Sequence, residues 1–140
     1  MTGQQLLVVL LATITQFIIG AIWYTPLFGK LWGEIHGFDK LDKKTQQKMM
    51  SQMGPIFGVQ ILATVLTSIA LVVLQSSFPD YSLYMLTSLI WLGFIVPAHI
   101  SGILFSSLES KWILPKSLIM AGGSLAGLMS GAATVILLLK

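Results

Sequence analysis

The sequence has no cysteine and very few charges, and these two shortages remove most of the common functional classes before any motif is considered. Without cysteine there are no disulfides, no thiolate-ligated zinc or iron–sulfur centres and no thiol nucleophile. Charged residues make up 9% of the 140 positions, where a soluble domain carries about 25%. No Asp, Glu, Lys or Arg falls in the middle of any long apolar stretch. That argues against a proton-coupled exporter, which uses a titratable carboxylate at membrane depth. A small multidrug exporter would also have four helices, but the first helix here carries no glutamate. The same lack leaves no carboxylate in the membrane to complete a Ser-His-Asp arrangement, and no glycine pattern follows a strand as a phosphate loop requires. A non-enzymatic protein without cofactor or metal is expected. A net charge of +3 is not arranged as a basic face or recognition motif, so nucleic acid is not an expected partner. The opening Met-Thr-Gly-Gln-Gln has no basic start, and no small-residue cleavage site precedes Trp23 and Tyr24, so the first helix is expected to stay in the mature chain.

What the chain does have is apolar length. Hydrophobic residues reach 55% and the mean hydropathy is +0.86. Four stretches, at about residues 6–25, 56–75, 83–106 and 116–139, are each long enough at about 1.5 Å per residue to cross about 30 Å of hydrocarbon. They occupy most of the chain, which predicts one all-α domain over residues 1–140: an integral membrane four-helix bundle. On helix one, Thr13, Gln16, Gly20 and Tyr24 share a side expected to face protein, with Leu7, Val8, Leu11, Ile14 and Ile18 expected to face lipid. Between helices one and two, residues 27–38 read as a short amphipathic helical segment in the interface, and a surface helix follows, with Asp39 placed to cap it. Pro97 is expected to kink helix three.

Orientation follows from the lysines. Lys30, Lys40, Lys43, Lys44 and Lys48 lie between helices one and two, and Lys111 and Lys116 between helices three and four, with only Lys140 on the other side. The positive-inside rule places both lysine-bearing connections in the cytoplasm and both termini outside, in a multi-pass protein of the cell membrane.

Three groups of residues are candidates for a role. Gly123, Gly127 and Gly131 repeat every fourth residue in helix four beside Gly122, Ala126, Ser130 and Thr134, a face on which a second helix can approach closely, within the bundle or in a homo-oligomer. Gln16, Tyr24, Gln60, Thr64, Thr67 and His99 can gather as a polar cavity on the lysine-bearing half of the membrane; His99, the one histidine within a span, is as well explained by a hydrogen bond tying helices together as by proton relay. Trp23, Tyr24, Pro26, Phe28, Lys30 and Trp32 form an interfacial belt suited to anchoring in membrane lipids or to a headgroup platform.

The run Trp23-Tyr24-Thr25-Pro26-Leu27-Phe28-Gly29-Lys30-Leu31-Trp32, with Gly93-Phe94-Ile95-Val96-Pro97-Ala98 in helix three, resembles an uncharacterised family of small four-helix membrane proteins. That family is catalogued as a domain of unknown function and typified by a Trp-Tyr-Ser/Thr-Pro…Phe-Gly…Trp stretch. The resemblance implies the fold and supplies no activity. The leading expectation is a structural, partner-binding or lipid-accessible module that assembles with itself through helix four. The alternative is a channel or carrier for a small neutral or weakly basic solute, lined by Gln16, Gln60, Thr64, Thr67 and His99. A cofactor-dependent membrane enzyme is a third reading.

Overall fold

The computed structural model describes residues 1–139 and is all-helical; Lys140, the lysine counted on the opposite side, lies outside the described residues. Four helices are long and apolar enough to cross a membrane: Gly3–Leu27, Gly54–Ser77, Leu83–Leu104 and Ser110–Leu138. The first comprises α1 (Gly3–Ile22) and a π turn over Trp23–Leu27; Thr2 caps α1 and Gln5 reaches back to close a capping box. The second is α4 (Gly54–Ser77), with Pro55 in its first turn, where no amide bond is lost. The third is α5 (Leu83–Ile90), a π turn over Trp91–Ile95, and α6 (Val96–Leu104). The fourth is α7 (Ser110–Leu138), which starts six residues earlier than the sequence boundary. Pro115 was read as part of the connection but lies in the second turn of α7. There it withholds one amide from the carbonyl of Lys111, at an end of the helix that water can reach.

The proline of helix three is accommodated rather than merely kinked. In the π turn the amide of Val96 reaches Trp91, five residues back, so Pro97 falls in the first turn of a new helix. Pro26 is handled in the same way, the amide of Phe28 reaching the carbonyl of Trp23 at 3.0 Å. Both π turns begin at a tryptophan.

Between the first two spans lie α2 (Gly29–Ile35), Gly37 at φ 69°, a 3-10 turn over Phe38–Lys40, and α3 (Lys43–Ser51). The positive φ suits glycine and divides the segment at Gly37, one residue before the boundary at 38 read from the sequence. The cap of α3 is Asp42, not Asp39: its carboxylate accepts from the Thr45 amide at 3.1 Å and from the Thr45 hydroxyl at 2.6 Å. The Thr45 hydroxyl and the surrounding amides hold the Asp42 carboxyl below the usual aspartate range. Because the folded value is lowered, the cap is intact above the ordinary aspartate value of about 4 and is lost as pH falls through the lowered one. Amide-exchange protection of Thr45 and Gln46 should therefore hold down to that range and then collapse, whereas Asp42→Asn should give a flat profile; identical profiles would refute the assignment.

The spans alternate in direction. α1 packs against α7 and α4, and the third span packs mainly on α7. The core is Val8, Val9 and Ala12 of α1, Leu71 and Val72 of α4, Leu83 of α5, and Leu128, Ala132 and Val135 of α7. All lie in the halves nearest the termini. Val8, expected to face lipid, is 1% exposed, because the buried face of α1 is wider than its polar residues and takes in Val8 and Val9 one turn before Ala12 and Thr13. Leu7, Ile14 and Ile18 are exposed as expected. Towards the lysine-bearing side the bundle splays: every residue of α4 from Gly54 to Ala63 is exposed, and Thr64 is the first buried one.

Candidate functional site

Two clusters tie α1 to its neighbours. The deeper one is polar. Ser68 of α4, fully buried, accepts from Gln16 Nε2 at 2.8 Å and from the Thr13 hydroxyl at 3.0 Å, and donates to the Thr64 carbonyl at 3.0 Å. Gln16 also reaches the Ala12 carbonyl at 3.2 Å, and the Thr13 hydroxyl shares its one proton between Ser68 and the Val9 carbonyl. α7 closes the third side with no side chain at all. A Cβ on Gly131 would stand 2.7 Å from Gln16 Cδ and 2.9 Å from Leu71 Cδ1. Glycine at this position is what lets the amide lie flat between the helices. Nearby, the hydroxyls of Thr134 and Thr15 meet at 3.3 Å.

The second cluster is aromatic and sits where the π turns begin. Trp23 donates its indole N–H to the Ile119 carbonyl at 3.0 Å; Trp91, from the third span, donates to the Ala121 carbonyl at 3.0 Å and lies 3.1 Å from the Ser124 hydroxyl. Two indoles from different spans thus grip neighbouring carbonyls of α7. Gly122 and Gly123 make the approach possible, since a Cβ on Gly122 would lie 2.6 Å from Trp23 Cζ2 and one on Gly123 would lie 2.9 Å from the Tyr24 hydroxyl. From there a row of rings runs outward: Trp23 to Phe28 at 4.8 Å, Tyr24 to Trp32 at 5.0 Å, Trp32 to His36 at 4.4 Å, with Lys116 Nζ 5.9 Å from the Trp32 ring. Trp23 is therefore engaged with α7 through both its edge and its N–H, while Pro26 and Lys30 are exposed.

The residues expected to share a polar cavity are distributed differently. Gln16 and Thr64 meet around Ser68. Gln60 reaches only Thr64, at 3.5 Å, and is exposed, while Thr67 is half-buried and bonds its own helix at the Ala63 carbonyl. Tyr24 belongs to the aromatic row. His99 is half-buried on α6, and its Nδ1 is buried with no hydrogen-bond partner. Of the helix-four glycines, Gly123 and Gly131 are used by the first span, while a Cβ on Gly127 would meet nothing within 4 Å.

Two residues that matter here were not singled out as sites: Ser68, which the sequence shows only as one member of a polar stripe on helix two with Gln60, Thr64 and Thr67, and Trp91. The signal for Trp91 is a tryptophan in mid-span, away from the interface where such residues normally sit.

Two hollows accompany these clusters. A groove of about 260 Å³ between α1 and α4 is lined by Leu10, Thr13, Ile14, Phe17, Ile61 and Val65 among others, and opens where lipid would lie. A recess of about 200 Å³ lies on the lysine-bearing side. Among the described residues no three His, Asp or Glu side chains converge as metal ligands. The polar cluster contains no group that titrates near neutral pH, so its chemistry is hydrogen bonding between helices.

A family model described as protein of unknown function (DUF1761) matches residues 7–137. No curated protein and no solved structure matches the chain.

Proposed function

The chain belongs to the DUF1761 family, proteins of unknown function, and we propose that it is a non-enzymatic, multi-pass protein of the cell membrane that acts as a partner-binding module by associating with a second copy of itself. Both termini lie outside and the lysine-bearing connections lie in the cytoplasm, which is the orientation the lysine distribution favours. The carrying observation is Gln60. It stands on the exposed first half of α4, where Phe57 reaches Phe17 of α1 ring to ring at 6.5 Å, but its own amide has only a 3.5 Å contact to Thr64. A primary amide has two donors and an acceptor, and lipid tails can satisfy none of them. A second α4 related by a two-fold axis brings an identical amide, and two amides satisfy one another reciprocally.

This moves the self-association surface from α7, where the first span occupies Gly122, Gly123 and Gly131, to α4. Interhelical amide bonds in membranes are worth about 1–2 kcal/mol. Gln60→Leu should thus weaken the dimer about five- to thirtyfold, read as mass against protein-to-detergent ratio by light scattering. Gly127→Leu should leave the dimer unchanged. A wild-type protein that stays monomeric at every concentration, or a Gln60→Leu dimer of undiminished strength, would sink the proposal. The carrier reading has no comparable support, because neither principal hollow is lined by Gln60, Thr64, Thr67 or His99.

A further inference from the structure

Where the end of α2, the Gly37 turn and the connection from α6 to α7 meet, the surface closes into the recess of about 200 Å³. It lies between Leu104, where α6 ends, and Ser110, where α7 begins, which is the depth of lipid headgroups on the lysine-bearing side. Its walls are Glu34, Ile35, Lys40, Leu108, Glu109 and Trp112. Ile35 is 5% exposed and Trp112 is half-buried, so there is an apolar surface beneath charges of both signs.

Those charges are unequally matched. Glu109 is held by Lys111 at 2.6 Å, and this is the one ion pair among the described residues. Lys111 holds the Glu109 carboxyl below its usual range by hydrogen bond and charge, with a smaller contribution from Lys40. Glu34 and Lys40 therefore line the same recess with no ion-pair partner of their own. A singly charged ligand would satisfy one and leave the other. An anionic headgroup gains nothing net from a rim on which the Glu34 carboxylate balances the Lys40 ammonium and Glu109 is already neutralised by Lys111. A quaternary ammonium is also a poor fit: it has no N–H for Glu34, and the single aromatic face available, Trp112, already lies 5.4 Å from Lys111 Nζ.

We propose that the recess binds the headgroup of a zwitterionic aminophospholipid, the primary ammonium donating to Glu34 and the phosphate accepting from Lys40, with the link between them lying on Trp112 and Ile35. The site takes the lipid in place, its acyl chains remaining in the leaflet beside α6 and α7. The inference does not depend on self-association, since none of these residues is on α4.

The test is native mass spectrometry of the full chain, gently solubilised with equimolar phosphatidylethanolamine, phosphatidylcholine and phosphatidylglycerol of identical acyl chains. One phosphatidylethanolamine per chain should be retained in preference to the other two. Hydrogen bonds to charged groups are strong enough that Glu34→Gln and Lys40→Ala should each lower its occupancy about tenfold, with the helical circular dichroism spectrum unchanged. Equal retention of phosphatidylcholine, or occupancy indifferent to both substitutions, overturns the proposal. So does displacement of the lipid by equimolar glycerophosphoethanolamine, which would make the ligand a soluble phosphoamine.

Discussion

Gly131→Leu is expected to destabilise the bundle by about 3 kcal/mol, while Gly127→Leu, one turn away on the same helix, should change little. The two residues look alike in sequence, both rungs of one glycine ladder. They differ in what a Cβ would meet: nothing within 4 Å at Gly127, but Gln16 Cδ at 2.7 Å, Gln16 Nε2 at 2.8 Å and Leu71 Cδ1 at 2.9 Å at Gly131. Those atoms end flexible side chains, yet neither is free to move. The Gln16 amide is held by Ser68 and the Ala12 carbonyl, and Leu71 is 2% exposed in the core. Overpacking a filled site costs about 1–3 kcal/mol, and displacing Gln16 adds the loss of an interhelical hydrogen bond worth about 0.6–2 kcal/mol in a membrane. Unfolding in mixed micelles with increasing denaturing detergent would read the difference. A cycle sharpens it: Gly131→Ala should be costly in the wild type and milder beside Gln16→Ala, with a coupling of about 1 kcal/mol. Equal effects of leucine at 127 and 131, or no coupling, would mean that Gln16 is not the neighbour that matters.

The contrast between those glycines marks where sequence reading stops. Four spans were legible because hydrocarbon thickness sets a length that few other causes produce, and the divide at Gly37 because a positive φ favours glycine. The facing of residues within a span was less legible. Lipid and protein interior are equally apolar, so Val8 in the core and Leu7 at the surface carry the same chemistry. Polar residues gave better guidance: Thr13 and Gln16 are buried on the side of α1 that was assigned to protein. Their partner Ser68 was visible only as a member of a polar stripe, because a hydroxyl that bonds its own helix and one that bonds another are spelled identically. The π turns were not legible at all. Each proline announced a break, but whether a break becomes a kink or an added residue per turn depends on what the next helix offers, and here α7 offers carbonyls to Trp23 and Trp91. The start of α7 was misplaced for the related reason that a proline in a second turn costs only one bond at a wet helix end.

Replacing Trp23 by alanine should be nearly as damaging as filling Gly131, at about 3 kcal/mol, the lower end of the range for deleting a packed tryptophan, because this ring is half-buried. The ring covers Gly122 and Gly123, packs at a tilt against Phe28 at 4.8 Å and hydrogen-bonds Ile119 at 3.0 Å, so it joins the end of the first span both to α7 and to the segment that folds back after Pro26. Phenylalanine keeps most of the surface and loses the N–H; Trp23→Phe should therefore cost about 1 kcal/mol. The glycine opposite supplies the control. Gly122→Ala places a Cβ 2.6 Å from Trp23 Cζ2 and should be destabilising in the wild type, yet close to neutral once Trp23 is alanine, because the clash and the contact are the same two groups. If Gly122→Ala proves harmless with Trp23 present, the indole does not lie where the carbonyl of Ile119 would hold it. The π turn at Trp23–Leu27 would then lose its structural reason, since its extra residue is what brings this ring onto α7 while the chain still turns at Pro26.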